Sequence, residues 1–487
     1  MLGWDTIQQE RRARKHERLR ASSQQRNILE IIGRSPGYVK IGERGDRSVD
    51  VVLGWGGILA SAILTVMYWS ETMNGLLAIG LLLISIYFTV YQYYARKRDE
   101  RKIIIAAQKR IGAIKTVDYV AYSLVELAPK ISLPSSYLKS GYQIEHLHHG
   151  FGAWSPEVSD WLINCVPGDI KYRHEETRFA LSPLTTDIIA PHVELRQALS
   201  GKRFSNDLKI RMRTDLVRNE DGYFPNTIEL QRTDYLANLC TNDLSFREVI
   251  DASKRQTLYN GQDYFLKPVP GTGLELRPYF ESNCSNQIGI STIAFTSDGY
   301  LVLVDQTVNN LQSSGLVAPS GSGSLDESDL TQLGGTGDLV EWLCIASQRE
   351  LREELGIQAD KSFDKLSNQI LDRIQISALL MGFCVYLFRG GKPEFFFLAS
   401  LSCSLSELSR NRKHTLGEEE LSQPFVEIED YRLDGRGSRA DQVIRVLDKL
   451  REQERFRLSF PLEIQLLITK YICRNYRDKI ENLLEVF

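Results

Sequence analysis

Glu350, Glu353 and Glu354 are the residues of this sequence best placed to do chemistry, because a spacing of i, i+3 and i+4 puts all three carboxylates on one side of a helix. Left alone, like charges this close cost about 0.2–0.5 kcal/mol per pair, and a divalent cation reverses that sign. Hard oxygen donors on a rigid helix suit Mg²⁺ or Mn²⁺, which keep several waters and bridge to phosphate oxygens. Taken by themselves, the three glutamates read more readily as a solvated helix face.

The surrounding segment changes that balance. Residues Gly334 to Ile357 read GGTGDLVEWLCIASQRELREELGI, with Asp338 suited to cap the start of a helix and Gly356 to stop it in the left-handed region. Leu343, Leu351 and Leu355 fall on the other side and are expected to face a core. The segment resembles the Nudix box, in which Gly, five residues, Glu, seven residues and then Arg-Glu-aliphatic-any-Glu-Glu-any-Gly-aliphatic occur in order. Gly335, Glu341, Arg349, Glu350, Leu351, Glu353, Glu354, Gly356 and Ile357 fill every defined position. With each polar position met by chance at roughly 5–10%, an accidental full match is on the order of one in a million, which outweighs the solvated-face reading.

The resemblance covers about residues 286 to 440 and implies an α/β/α sandwich that hydrolyses the diphosphate linkage of a nucleoside diphosphate derivative with Mg²⁺ or Mn²⁺. It implies that Glu350, Glu353 and Glu354 are metal ligands with Glu341 a further acidic contributor. It also implies that Glu350 is the base, that Arg349 orients it by an ion pair, and that Gly335 and Gly356 shape the loop and the helix end. Members usually run from a Pro-Gly-Gly turn straight into the box. Here Pro319-Ser320-Gly321 is separated from Gly334-Gly335 by an inserted serine- and acid-rich stretch, so a longer or mobile loop is expected. Glu418, Glu419 and Glu420 are candidates for an additional acid from a later loop, although a solvated loop is the commoner reading of such a run. His146, His148 and His149 lack a Cys or acidic partner at metal-binding spacing and read as a surface loop.

Elements that would hold the box are legible on both sides. Gly289 to Val308 alternates as a hairpin around Ser297-Asp298-Gly299, and Ile374 to Leu401 forms a second one turning at Gly390-Gly391. Pro461 to Tyr476 reads as an apolar helix packed on the same domain.

At 487 residues the chain is too long for one compact core. Val51 to Trp69 and Leu76 to Tyr94 carry no charge, and each is about 28 Å long as a helix, close to the thickness of the bilayer hydrocarbon. Tyr68, Trp69, Tyr91, Tyr93 and Tyr94 would sit at the interfaces, and basic residues flank the outside of the pair but not its loop. The positive-inside rule then places both termini and the Nudix-like domain in the cytoplasm, anchored by two spans in the lipid bilayer. Gly54, Gly56 and Gly57 leave room for a homo-oligomer through the hairpin. Seven scattered cysteines read as reduced core thiols.

The expected organisation is α+β: a basic arm (1–49), a transmembrane helical hairpin (50–95), a juxtamembrane helix (96–130), a small mixed α/β accessory region (131–285), and a Nudix domain with a C-terminal helix (286–487). The partner expected is a nucleotide-type small molecule, with no sequence-specific nucleic acid. A second function stays open, a nucleotide sensor that changes the state of the membrane hairpin. That layout resembles membrane-anchored Nudix proteins of bacterial nucleotide-signalling antiviral defence systems.

Overall fold

The computed structural model describes residues 114–118, 131–193, 206–251, 256–270, 273–306, 315–332, 337–357, 374–415, 431–454 and 457–485. The basic arm and both apolar runs, 51–69 and 76–94, lie outside these residues. Among the described residues no helix is long and apolar enough to cross a membrane. Ile114–Asp118 is a strand where the juxtamembrane helix was expected. Its β-branched Ile114, Thr116 and Val117 favour that extended conformation over helix. The described residues fall into two compact units. The smaller holds a π-helical turn, Thr185–Ile189. The larger holds residues 131–182, 206–250 and 257–270 together with everything described from 273 onward.

In the larger unit the chain runs through strands β1 (Gln143–Leu147) and β2 (Gly150–Trp154), helix α1 (Pro156–Asn164), and strands β3 (Lys171–Glu175), β4 (Leu208–Met212) and β5 (Thr227–Asp234). Next come β6 (Gly289–Phe295), β7 (Leu301–Val302), β8 (Gly321–Ser324), a short helix α2 (Glu327–Gln332) and the long helix α3 (Leu339–Glu354). Strands β9 (Ile376–Tyr386) and β10 (Lys392–Leu401) and helices α4 (Arg439–Gln453), α5 (Phe460–Asn475) and α6 (Arg477–Glu485) complete it.

One mixed sheet carries the order β7-β6-β10-β9-β2-β1, with β8 also paired to β6. Both expected hairpins form. Gly299, at φ +84°, turns β6 into β7, and Gly390 and Gly391, at φ +61° and +81°, turn β9 into β10. Strand β10 then runs parallel to β6, from Gly289 beside Glu394 to Phe295 beside Ser400. The parts of 131–285 that lie in the larger unit add β1 and β2 to this sheet and build a second one in the order β3-β5-β4.

Alternation along the strands sends successive side chains to opposite faces, and each face meets its own helices. Ile290, Phe395 and Phe397 pack with Trp342, Leu343 and Ala346 of α3. Ile293, Phe295, Phe396 and Leu398 pack with Ile464, Ile468 and Ile472 of α5, backed by α4 and α6. The result is a sheet between two helical layers, a mixed α and β fold.

The accessory region also buries a polar centre with a measurable signature. Tyr137 Oη donates to Asp215 Oδ1 (2.5 Å), and the Tyr279 backbone N–H donates to both Asp215 oxygens at 3.1 and 3.2 Å. Burial nevertheless pushes the Asp215 carboxyl up to about 6, because lost hydration outweighs these donors. The folded state thus holds this proton more tightly than the unfolded chain, so stability falls as pH rises through about 4 to 6. Asp215 should cost about 2–3 kcal/mol at neutral pH relative to pH 4, a slope that Asp215→Asn removes. Urea unfolding of both proteins across that window checks it, and parallel stability profiles would refute the assignment.

Candidate active site

Helix α3 is fixed at both ends as its sequence anticipates. Asp338 caps it, accepting from the Glu341 backbone N–H at 2.7 Å, and Gly356 ends it at φ +65°. The cap is in turn held by the accessory region: the Gly168 N–H donates to the second Asp338 oxygen, Leu339 N–H to Ile170 O (2.8 Å), and Tyr172 N–H to Gly337 O (2.7 Å). Leu343, Leu351 and Leu355 are buried, as their phase on the helix requires.

Arg349 is the hub of the site. Its Nε donates to Asp329 Oδ1 at 2.6 Å and its Nη2 to Asp329 Oδ2 at 3.0 Å, a two-point grip on one carboxylate. Nη2 also reaches Glu350 Oε1 (3.0 Å) and the Ser324 carbonyl (3.3 Å), while Nη1 donates to Glu353 Oε2 (3.0 Å). Burial works against the Arg349 charge, yet Asp329, Glu350 and Glu353 together hold its pKa above the ordinary arginine value.

Glu350 is only 7% exposed, lying between Arg349 and strand β8, where a Cβ on Gly323 would overlap its carboxylate. Burial pushes its pKa up to about 8, the charges of Glu353 and Glu354 add to the rise, and Arg349 opposes it. Gly321, two residues earlier on the same strand, passes close over the Leu351 backbone. The glycines are what let β8 run this near the helix.

The inserted stretch is thus ordered structure over residues 321–332, with only 333–336 outside the described residues. Its acids meet cations from three directions. Asp329, with no exposed surface, takes Arg349; Asp326 pairs with Lys209 of β4 and lies 3.7 Å from Arg349 Nη1; Glu327 pairs with Arg232 of β5. Asp329 and Lys209 were not singled out in the sequence. Only the density of acids in the insert hinted at a cationic counterpart.

The box residues are not all gathered. Glu341 stands about 13 Å along the axis from Glu350 and half a turn round, on the opposite side of α3. Glu350 is buried, Glu354 is half-buried and Glu353 is exposed, so the three carboxylates fan outward rather than meet. Gly335 and Glu418, Glu419 and Glu420 lie outside the described residues. His148 Nδ1 pairs with Glu463 of α5 at 2.7 Å, and His146 stacks on Phe151, so these histidines brace the β1–β2 turn.

Among the described residues no three His, Cys, Asp or Glu side chains converge on one point. The donor chemistry nonetheless fits a hard divalent cation. Glu350, Glu353 and Glu354 bring three hard oxygen donors to one stretch of the helix, and the raised pKa of Glu350 comes first from burial and then from the charges of Glu353 and Glu354, with Arg349 opposing it. Compared with known proteins, the chain matches no protein-family model and no curated protein.

Proposed function

We propose that the chain is a metal-dependent hydrolase of the Nudix type that cleaves the diphosphate linkage of a nucleoside diphosphate derivative. It would be held at the cytoplasmic face of a membrane by the apolar runs 51–69 and 76–94. The observation that carries this reading is the Arg349–Glu350 pair, with Glu353 and Glu354 on the next turn, on a helix packed against one face of a sheet whose other face is covered by α5. Glu350, Glu353 and Glu354 would hold Mg²⁺ or Mn²⁺, which neutralises diphosphate charge and lowers the pKa of a bound water. Glu350 would accept the proton of the attacking water, with Arg349 holding one of its oxygens at 3.0 Å. Lys209 adds a cation beside the acids of the insert, where an anionic substrate gains from it.

A second reading, a nucleotide sensor coupled to the membrane hairpin, is favoured by one feature. Glu350 is turned onto Arg349 and the three carboxylates do not converge, an arrangement that binds without reacting unless the cluster closes. A panel of nucleoside diphosphate derivatives assayed with Mg²⁺ or Mn²⁺ separates the two. Turnover of at least one, reduced about 100-fold or more in Glu353→Gln, is the expected result. Tight binding of one nucleotide with no turnover of any would replace the hydrolase by the sensor.

A further inference from the structure

We propose that the inserted segment from Asp326 to Gln332 is an acidic strap whose carboxylates occupy the cations of a phosphate-binding site, Lys209, Arg232 and Arg349, and that a diphosphate group enters by displacing it. The chemical class of the ligand rests on the reading of function given above. The acids of the strap sit where phosphoryl oxygens would. Asp326 bridges two cations, with one oxygen on Lys209 Nζ and the other 3.7 Å from Arg349 Nη1. Glu327 takes Arg232 Nε, and Asp329 takes the Nε–Nη2 edge of Arg349 at 2.6 and 3.0 Å, an edge that suits a phosphate as well as a carboxylate.

The strap is built to let go. Helix α2 has six residues, far short of a length that is stable by itself. Of its described side chains, Glu327, Ser328 and Asp329, only Asp329 is buried, so these side chains hold it down by charge and not by an apolar face. The residue before it is anchored: Leu325 is fully buried, its N–H donates to Ile288 O at 3.0 Å and its carbonyl accepts from Ile210 N–H at 3.2 Å. Release is therefore confined to the residues after Leu325. The Asp326–Lys209 and Glu327–Arg232 pairs are partly exposed, which makes them weak and open to screening by salt, and the buried Asp329–Arg349 pair offsets its own desolvation and little more. With the strap in place, five carboxylates (Asp326, Glu327, Asp329, Glu350 and Glu353) touch the three cations; with it away, only Glu350 and Glu353 do, and the site turns from net negative to net positive.

The test uses the full chain in EDTA with inorganic pyrophosphate as the probe, reading affinity by calorimetry and backbone amide exchange by mass spectrometry. Pyrophosphate is expected to speed exchange across 326–332 about tenfold or more in the wild type, while the amides of α3 from 343 to 351 keep their rates. Asp326→Asn combined with Glu327→Gln should bind pyrophosphate about tenfold more tightly than wild type, because the strap competes less, and adding Lys209→Met should remove that gain. Tighter binding with no change in wild-type exchange at 326–332 would reflect surface charge alone and overturns the proposal, as do unchanged affinity in the double variant and the absence of pyrophosphate binding in both proteins. If the double variant does not fold, raising NaCl to about 0.5 M should speed wild-type exchange at 326–332 by screening the same pairs, and rates that ignore salt overturn the proposal. Pyrophosphate bound with the strap released, but no turnover of any nucleoside diphosphate derivative, removes the hydrolase reading alone. Turnover with a strap whose exchange never quickens removes this proposal alone.

Discussion

Glu350→Gln is expected to lose roughly 1,000-fold in kcat, the scale of a lost general base, while the metal-free protein becomes more stable at alkaline pH. The two effects have one cause. Burial holds the Glu350 proton to about pH 8, whereas an unfolded glutamate releases it near 4.5. The folded state therefore binds the extra proton between those values, and wild-type stability falls as pH rises from about 4.5 to about 8. Glutamine keeps the shape and can accept from Arg349 Nη2 but carries no charge to bury. By pH 9 the variant should exceed the wild type by about 3–5 kcal/mol in chelator. Added Mn²⁺ should narrow the gap by stabilising only the ionised wild-type carboxylate. Urea titrations with EDTA and with Mn²⁺ measure both arms. A variant less stable than wild type at pH 9 would mean that Glu350 is comfortably ionised in the fold, and retained turnover would remove it as the base.

Local signals were legible where one element carried them whole. The α3 segment announces its cap at Asp338, its stop at Gly356 and the stripe of Leu343, Leu351 and Leu355, so helix and phase follow from spacing alone. The two hairpins read equally well because alternation and turn glycines coincide. What spacing could not reveal is long-range. The strand Gly321–Ser324 has the composition of a loop, and it is extended because β6 offers a free edge and α3 requires a strand without side chains beside it. Asp329 precedes Arg349 by more than five helical turns' worth of sequence, and Lys209 comes from another sheet. No periodicity links either to the box. Glu341 shows the converse: a motif position filled in the sequence, yet carried by the helix away from Glu350.

The buried pair on the other face of the sheet predicts the largest stability effect. Lys392 and Glu394, 4% and 3% exposed, lie two residues apart on β10 and meet at 2.5 Å on the face covered by α5. Ser291 Oγ donates to Glu394 Oε1 at 2.8 Å, and Gly289 leaves the space that both ionic groups fill. Burial pushes the Lys392 pKa down and Glu394 opposes that fall, so the ammonium depends on its partner. Lys392→Met should therefore cost about 3–5 kcal/mol, because it strands a carboxylate in the core. Replacing both, as Lys392→Met with Glu394→Leu, should recover most of that loss, since a buried pair offsets its own desolvation and little more. A single variant within 1 kcal/mol of wild type in urea would show the pair to be hydrated in solution. Because Glu394 and Glu350 lie on opposite faces of the sheet, the double variant should bind Mn²⁺ as wild type does. A coupled loss would mean that packing of the α5 layer reaches the carboxylates of α3 across the sheet.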